Sequence, residues 1–284
     1  MSQKKSSTKG WQRILILIIP YFIIVGLFQF IGLLIAGVDY TDIEASKTST
    51  QYLIVALFDI MGVCLVLWFL MKWVDKEKFI ILEFQIKNRL NDIILGILIG
   101  LVIMTVGYMV LVAFEEVAFE NIVYSIKEIL ISILLFSIVA IVEETLFRGY
   151  ILKNFMLSFN KYIALIISSV LFALMHGFNP NMDWFSYLNL FLAGILLGVS
   201  YIYTKNLWFP IALHFSWNLF QTLFGFNVSG QDFYSLIEFR ITEQNMINGG
   251  DFGFEGSFLS IIAQLLVIAL VIFHYNKKSN QIQY

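Results

Sequence analysis

The sequence predicts an all-α, polytopic integral membrane protein with about eight transmembrane helices and both termini cytoplasmic. Composition is the first reason: 59% of the 284 residues are hydrophobic and 13% charged, with mean hydropathy +0.82. Soluble domains sit near ~45–50% apolar and ~25% charged. The second reason is a series of apolar runs close to the roughly 20 residues a membrane helix needs. The third is where the charges fall between those runs.

Taken in order, Met1 to Arg13 is basic and rich in serine and threonine, and Ile14–Val38 carries no charge. A signal-peptide core is shorter, about 7–15 residues, so this run is expected to be a retained first helix. The following spans are expected over Tyr52–Trp73, Ile93–Phe114, Ile129–Tyr150, Tyr162–Phe178, Tyr187–Thr204, Leu207–Phe224 and Phe258–Tyr275. Val74 to Asp92 mixes charges with Phe79, Ile80, Ile81, Leu82, Phe84 and Ile86, the make-up of an amphipathic segment on the membrane surface. Gly225–Gly256 is glycine-rich and of mixed charge, which predicts a mobile loop on the outer side.

Alternating eight spans from a cytoplasmic Lys4, Lys5, Lys9 and Arg13 leaves only Lys47, Lys127 and Arg240 of the 18 Lys and Arg outside. That bias is the positive-inside rule, and dropping one span destroys it. Acids mark the other side: Asp39, Asp42 and Glu44, then Glu115, Glu116 and Glu120. The single cysteine, Cys64, lies in an apolar run as a small core residue, excluding a disulfide framework and a cysteine metal site. There is no soluble domain, tandem repeat or nucleotide-binding glycine loop, and no nucleic-acid partner is expected. Gly96-x-x-x-Gly100 and Gly194-x-x-x-Gly198 are read as close helix contacts.

The chemistry lies in the few polar residues inside these spans. Glu143 and Glu144 end the fourth run, and two carboxylates there cost roughly 2.5–3.5 kcal/mol each on insertion scales. Glu144 and Arg148 are four apart with the acid first, the favoured ion-pair order, whereas Glu143 is rotated by about 100° and stays free to face a cavity. His176 ends the fifth run. His214 and Asn218 are again four apart, presenting an imidazole and an amide on one face, suited to a developing oxyanion. A carboxylate in a low-dielectric pocket suits a general base for water. Together these groups make amide hydrolysis the economical reading.

Depth counting at about 1.5 Å per residue leaves one discord. It sets Glu143 on the cytoplasmic half, so that the site opens to the cytoplasm, and His176 about 9 Å beyond the midplane on the other side. Each group also has a structural reading: a buried packing pair, an interfacial histidine, interhelical hydrogen bonds. Asp59 is an intramembrane acid without an obvious partner.

Glu143-Glu144-x-x-x-Arg148, Phe172-x-x-x-His176 and His214-x-x-x-Asn218, led by Asn206-Leu207-Trp208-x-Pro210, resemble the CPBP family. Its members are the CAAX-processing and bacteriocin-processing (Abi) intramembrane proteases. The similarity covers roughly Ile129 to Leu223. It implies a membrane-embedded endopeptidase acting on a membrane-bound peptide or protein, with Glu143 as catalytic base and His176 assisting water. His214 and Asn218 would hold the oxyanion, and Glu144 with Arg148 would support it.

The corresponding division is residues 1–128 for three helices and the amphipathic cytoplasmic segment, 129–224 for the catalytic helix core, and 225–284 for the outer loop and last helix. The sequence assigns no cofactor and leaves metal dependence open, with Zn²⁺ as the candidate. If a metal such as Zn²⁺ is used, Glu143, His176 and His214 are the ligands, although the H-E-x-x-H pattern is absent. A bacterial plasma membrane suits the short basic N-terminus and compact loops. The competing readings are a non-catalytic scaffold or bacteriocin self-immunity protein, and an ion-coupled transporter. The second is disfavoured by the lack of an inverted hydropathy repeat.

Overall fold

The computed structural model describes residues 8–39 and 47–281; Lys4, Lys5, Asp42 and Glu44 of the charge pattern lie outside the described residues. Eight principal helices correspond to the eight expected runs. They are α1 (Gly10–Ile35), α2 (Ser49–Leu70), α3 (Leu90–Ala113), α4 (Ile126–Glu144), α5 (Lys161–Met175), α6 (Trp184–Thr204), α7 (Trp208–Leu223) and α8 (Phe258–Gln281). By length and composition, six helical segments are long and apolar enough to cross a membrane. The chain is therefore a multi-pass, all-α membrane protein. The helix that ends just before His176 and the helix that carries His214 are the short ones, 15 and 16 residues.

Helix starts follow from local chemistry. Thr48 and Gln51 form a reciprocal capping box at α2. Asn160 Oδ1 accepts from the Tyr162 and Ile163 amides at α5, and Asp183 Oδ1 accepts from the Ser186 amide at α6. The α1–α2 hairpin packs through α2 on α4, α4 on α7, and α7 on α3; α5 lies on α6, and α6 on α8. In the most apolar stretch of α6, 67% of residues are buried, against 17% in α1, so α6 is central and α1 peripheral.

The small-residue motifs are where the helices touch. A Cβ on Gly100 would lie 2.2 Å from Ser216 Oγ, and that hydroxyl already donates to the Gly96 carbonyl at 3.0 Å, so α3 and α7 meet backbone to backbone. On α6, a Cβ at Gly194 would lie 2.8 Å from the Ser169 Cα of α5.

Val74–Asp92 holds the end of a π-turn (Met71–Asp75) and a short 3-10 turn (Phe79–Leu82), then a strap. The strap's carbonyls grip the start of α7. Glu83 O accepts from the Leu207 amide, Phe84 O from Trp208 Nε1, and Gln85 O from Asn206 Nδ2. Gly225–Gly256 is folded rather than loose. Its Ile237–Ile241 (β2) pairs antiparallel with Val117–Ile122 (β1), joining the α7–α8 connection to the α3–α4 connection. Phe226, Phe252 and Phe254 of this loop are buried in the common core, which supplies the apolar area that holds it. Cys64 lies on an exposed face of α2 rather than in the core.

Candidate active site

The two glutamates close the α-helical part of α4, and the chain continues into a π-helical stretch, Thr145–Leu152, every residue of which is buried. π-Turns of this kind concentrate at functional sites. Glu144 is fully buried and its Oε1 accepts twice, from Arg148 Nη1 at 2.9 Å and from His214 Nδ1 at 2.8 Å. Arg148 Nη2 donates to the Gly194 carbonyl of α6 at 3.2 Å, and the guanidinium lies 4.6 Å from the Phe172 ring centroid of α5. One carboxylate therefore ties α4 directly to α7, and through Arg148 to α5 and α6. The expected Glu144–Arg148 pair is present; the histidine on the same oxygen was not foreseen.

Glu143 is placed differently. Its side chain is 25% exposed, and its Oε2 has no hydrogen-bond partner among the described residues. His176 Nε2 of the neighbouring helix end lies 3.7 Å from that oxygen. His176 follows the last residue of α5, and its Nδ1 lies 2.8 Å from the Phe172 carbonyl. A carbonyl only accepts, so Nδ1 carries a proton and Nε2 is the ring atom turned towards Glu143. The helix ends at Met175, earlier than the expected Phe178, and His176 lies near Glu143 all the same.

His214 and Asn218 of α7 complete the cluster, and both line a cavity of about 580 Å³ shared with Glu143 and His176. This cavity runs between α1, α2 and α4, past Tyr21, Gln29 and Asp59, and reaches Lys47 and Phe233. It therefore extends to the end of the bundle that bears the α1–α2 and α7–α8 connections, not to the end expected from depth counting. Asp59 has the partner that sequence inspection missed: Gln29 Nε2 donates to its Oδ1 at 2.7 Å.

A second, smaller cavity of about 40 Å³ shares His176, His214, Asn218 and Ser229 with the first and continues behind them to Glu255 and Gln264. Glu255 comes from the loop before α8, and its Oε2 accepts from the Ser229 amide at 3.0 Å and hydroxyl at 2.7 Å. Burial pushes its carboxyl above the ordinary range, opposed by Ser229 and by the nearby His176 and His214. Nothing in the sequence singled it out beyond a lone acid in the run Phe252-Gly253-Phe254-Glu255-Gly256.

Among the described residues no three His, Cys, Asp or Glu side chains converge as a metal-ligand set. Glu143, His176 and His214 thus do not fit a zinc site in this arrangement, and no step is drawn through one.

No curated protein matches the chain. Residues 125–220 match the family model described as type II CAAX prenyl endopeptidase Rce1-like. The matched segment, about a third of the chain, holds Glu143, Glu144, Arg148, His176, His214 and Asn218, the residues that carry the resemblance, so this part of the chain is similar to the CAAX-type membrane endopeptidases.

Proposed function

We propose that the protein is an intramembrane endopeptidase in which Glu143 and His176 activate water against a peptide bond. The observation that carries this is the 3.7 Å between Glu143 Oε2 and His176 Nε2. That separation is too long for a direct hydrogen bond and short enough for one water to donate to both acceptors. Such a water turns a lone pair away from both groups and towards the large cavity.

Glu143 takes the water proton as the oxygen attacks the scissile carbonyl. The oxyanion is received by Asn218 Nδ2–H and by His214 Nε2–H. Because His214 Nδ1 is bonded to Glu144, its Nε2 donates only as an imidazolium, for which Glu144 is the counter-charge. The C–N bond then breaks, and the proton held by Glu143 passes to the leaving amine, giving a carboxylic acid and an amine.

The substrate is a membrane-bound peptide or protein. The apolar walls supplied by Phe22, Val25 and Leu33 of α1 suit a hydrophobic segment in the large cavity. Both termini lie on the cytoplasmic side of a plasma membrane on this reading, and the large cavity opens on the opposite side. The test is cleavage of a library of membrane-spanning peptides by the purified full-length protein. Glu143→Gln, which keeps size but not basicity, is expected to abolish cleavage. Equal activity of the variant refutes the proposal.

A further inference from the structure

The small cavity behind His214 and Asn218 has a chemistry of its own. Leu190, Leu196, Leu197 and Trp217 form apolar walls, and its polar end holds Glu255 and Gln264. That end offers acceptors. Glu255 Oε2 is filled by the two Ser229 donors, and no described residue donates to Oε1. Gln264 is buried, its Nε2 donates to Asn189 Oδ1 and Ser260 Oγ, and its Oε1 has no partner among the described residues. A buried acceptor without a donor is costly, and Gln264 Oε1 is one, on a residue that lines this cavity beside Glu255; the pair favours a ligand that brings hydrogen-bond donors.

Size narrows the ligand. About 40 Å³ holds about three water-sized groups, which matches the side chain of serine, threonine or asparagine and excludes that of phenylalanine. Position narrows it further. The cavity meets the large one at His176, His214 and Asn218, the rim where the scissile carbonyl would sit. A side chain entering it would belong to a residue flanking the cut.

We propose that this cavity is the subsite for a short, hydrogen-bond-donating side chain next to the scissile bond, and that Glu255 and Gln264 are the residues that select it. This rests on the endopeptidase reading. It makes the loop before α8 part of the substrate site.

Two measurements test it. The first needs no turnover. Full-length Glu143→Gln protein in detergent micelles is titrated with N-decanoyl-L-serinamide, N-decanoyl-L-alaninamide and N-decanoyl-L-phenylalaninamide, and thermal stabilisation gives the affinities. The serine compound should bind about tenfold more tightly than the alanine compound, as expected for one net hydrogen bond of about 1.4 kcal/mol. The phenylalanine compound should be weakest. Adding Gln264→Leu or Glu255→Gln should shrink the serine preference to about twofold or less. Equal affinities in the parent, or an unchanged preference in both variants, overturn the proposal.

The second measurement is cleavage-site mapping of the peptide library by mass spectrometry. One of the two positions flanking the cut should be enriched in serine, threonine and asparagine with the wild-type protein, and the enrichment should flatten in Gln264→Leu. Absence of all cleavage refutes the endopeptidase reading, while the binding measurement still decides the subsite. Cleavage without selectivity at either flanking position refutes the subsite alone.

Discussion

Arg148→Met isolates the hub that holds the site together. In the native structure Glu144 is fully buried and Arg148 is its permanent counter-charge at 2.9 Å. Removing the guanidinium strands the carboxylate with only His214 Nδ1 at 2.8 Å, and breaking a buried pair in this way costs about 3–5 kcal/mol. That is roughly a 150- to 5000-fold loss in the folded population. Glu144→Gln has a comparable cost, because it leaves Arg148 buried without a counter-charge and its amide oxygen offers one neutral acceptor where a carboxylate served two donors. The double variant removes both charges together, so it should be less destabilised than the sum of the singles by at least about 2 kcal/mol. Reversible unfolding of the full-length protein in mixed micelles, followed by tryptophan fluorescence, gives all four corners of the cycle. Glu143→Gln serves as the control. With a part-exposed side chain and His176 Nε2 3.7 Å away, it should shift stability by no more than about 0.5 kcal/mol. A coupling energy within about 0.5 kcal/mol of zero for the 144–148 pair would refute the hub.

Peptide cleavage by Glu143→Gln should fall by about 10²–10⁴, checked by chromatographic product counting on protein shown to be folded. Asn218→Ala should lower kcat by about 10²–10³ with little change in KM, the signature of a donor that engages only the transition state. Gly100→Ala should cost about 1–3 kcal/mol by overpacking, since its Cβ would lie 2.2 Å from Ser216 Oγ and 2.8 Å from the Ser216 carbonyl carbon; the same unfolding assay reads it. Burial raises the Glu255 carboxyl above its ordinary value near 4.5, so in that window the folded state binds a proton that the unfolded state has released. Its contribution to stability therefore falls as pH rises from about 4.5 through the raised value. Melting curves at successive pH values should show this slope in the wild-type protein and not in Glu255→Gln, and parallel profiles would refute it.

The parts of this site that the sequence revealed are those encoded by short spacings. Glu144 with Arg148 and His214 with Asn218 are each four residues apart, and a helix brings such positions to one face whatever surrounds them. His176 was identifiable as a polar residue at the end of an apolar run, but its approach to Glu143 depended on where α5 stops, and apolar runs define helix ends poorly. The Glu144–His214 bond joins residues 70 apart, and no periodicity registers such a contact. The same holds for β1 and β2, two short strands more than a hundred residues apart with a register shift between Phe119 and Asn121. Gly225–Gly256 misled for a compositional reason. Its glycines and charges read as a mobile loop, while the few phenylalanines that hold it in the core are too sparse to form a pattern. Glu255 was hidden with it.

The two histidines show why adjacent carboxylates are useful rather than redundant. Both rings are fixed through Nδ1, but His176 rests on a backbone carbonyl and His214 on the Glu144 carboxylate. A carbonyl offers no counter-charge, so His176 can remain neutral and present a bare Nε2, which is what a water donating to Glu143 needs opposite it. A carboxylate provides the counter-charge for a doubly protonated ring, so His214 can present Nε2–H to an oxyanion. In the proposed reaction one residue type therefore serves as acceptor on one side of the scissile bond and donor on the other, and the partner of Nδ1 sets the difference. This division requires Glu144 to be immobilised and Glu143 to remain open. Arg148 and complete burial achieve the first, and the large cavity achieves the second. Exchanging the two environments would leave the water without a base and the oxyanion without its charged donor. The order of the two carboxylates on α4 is thus as much a part of the proposed mechanism as their presence.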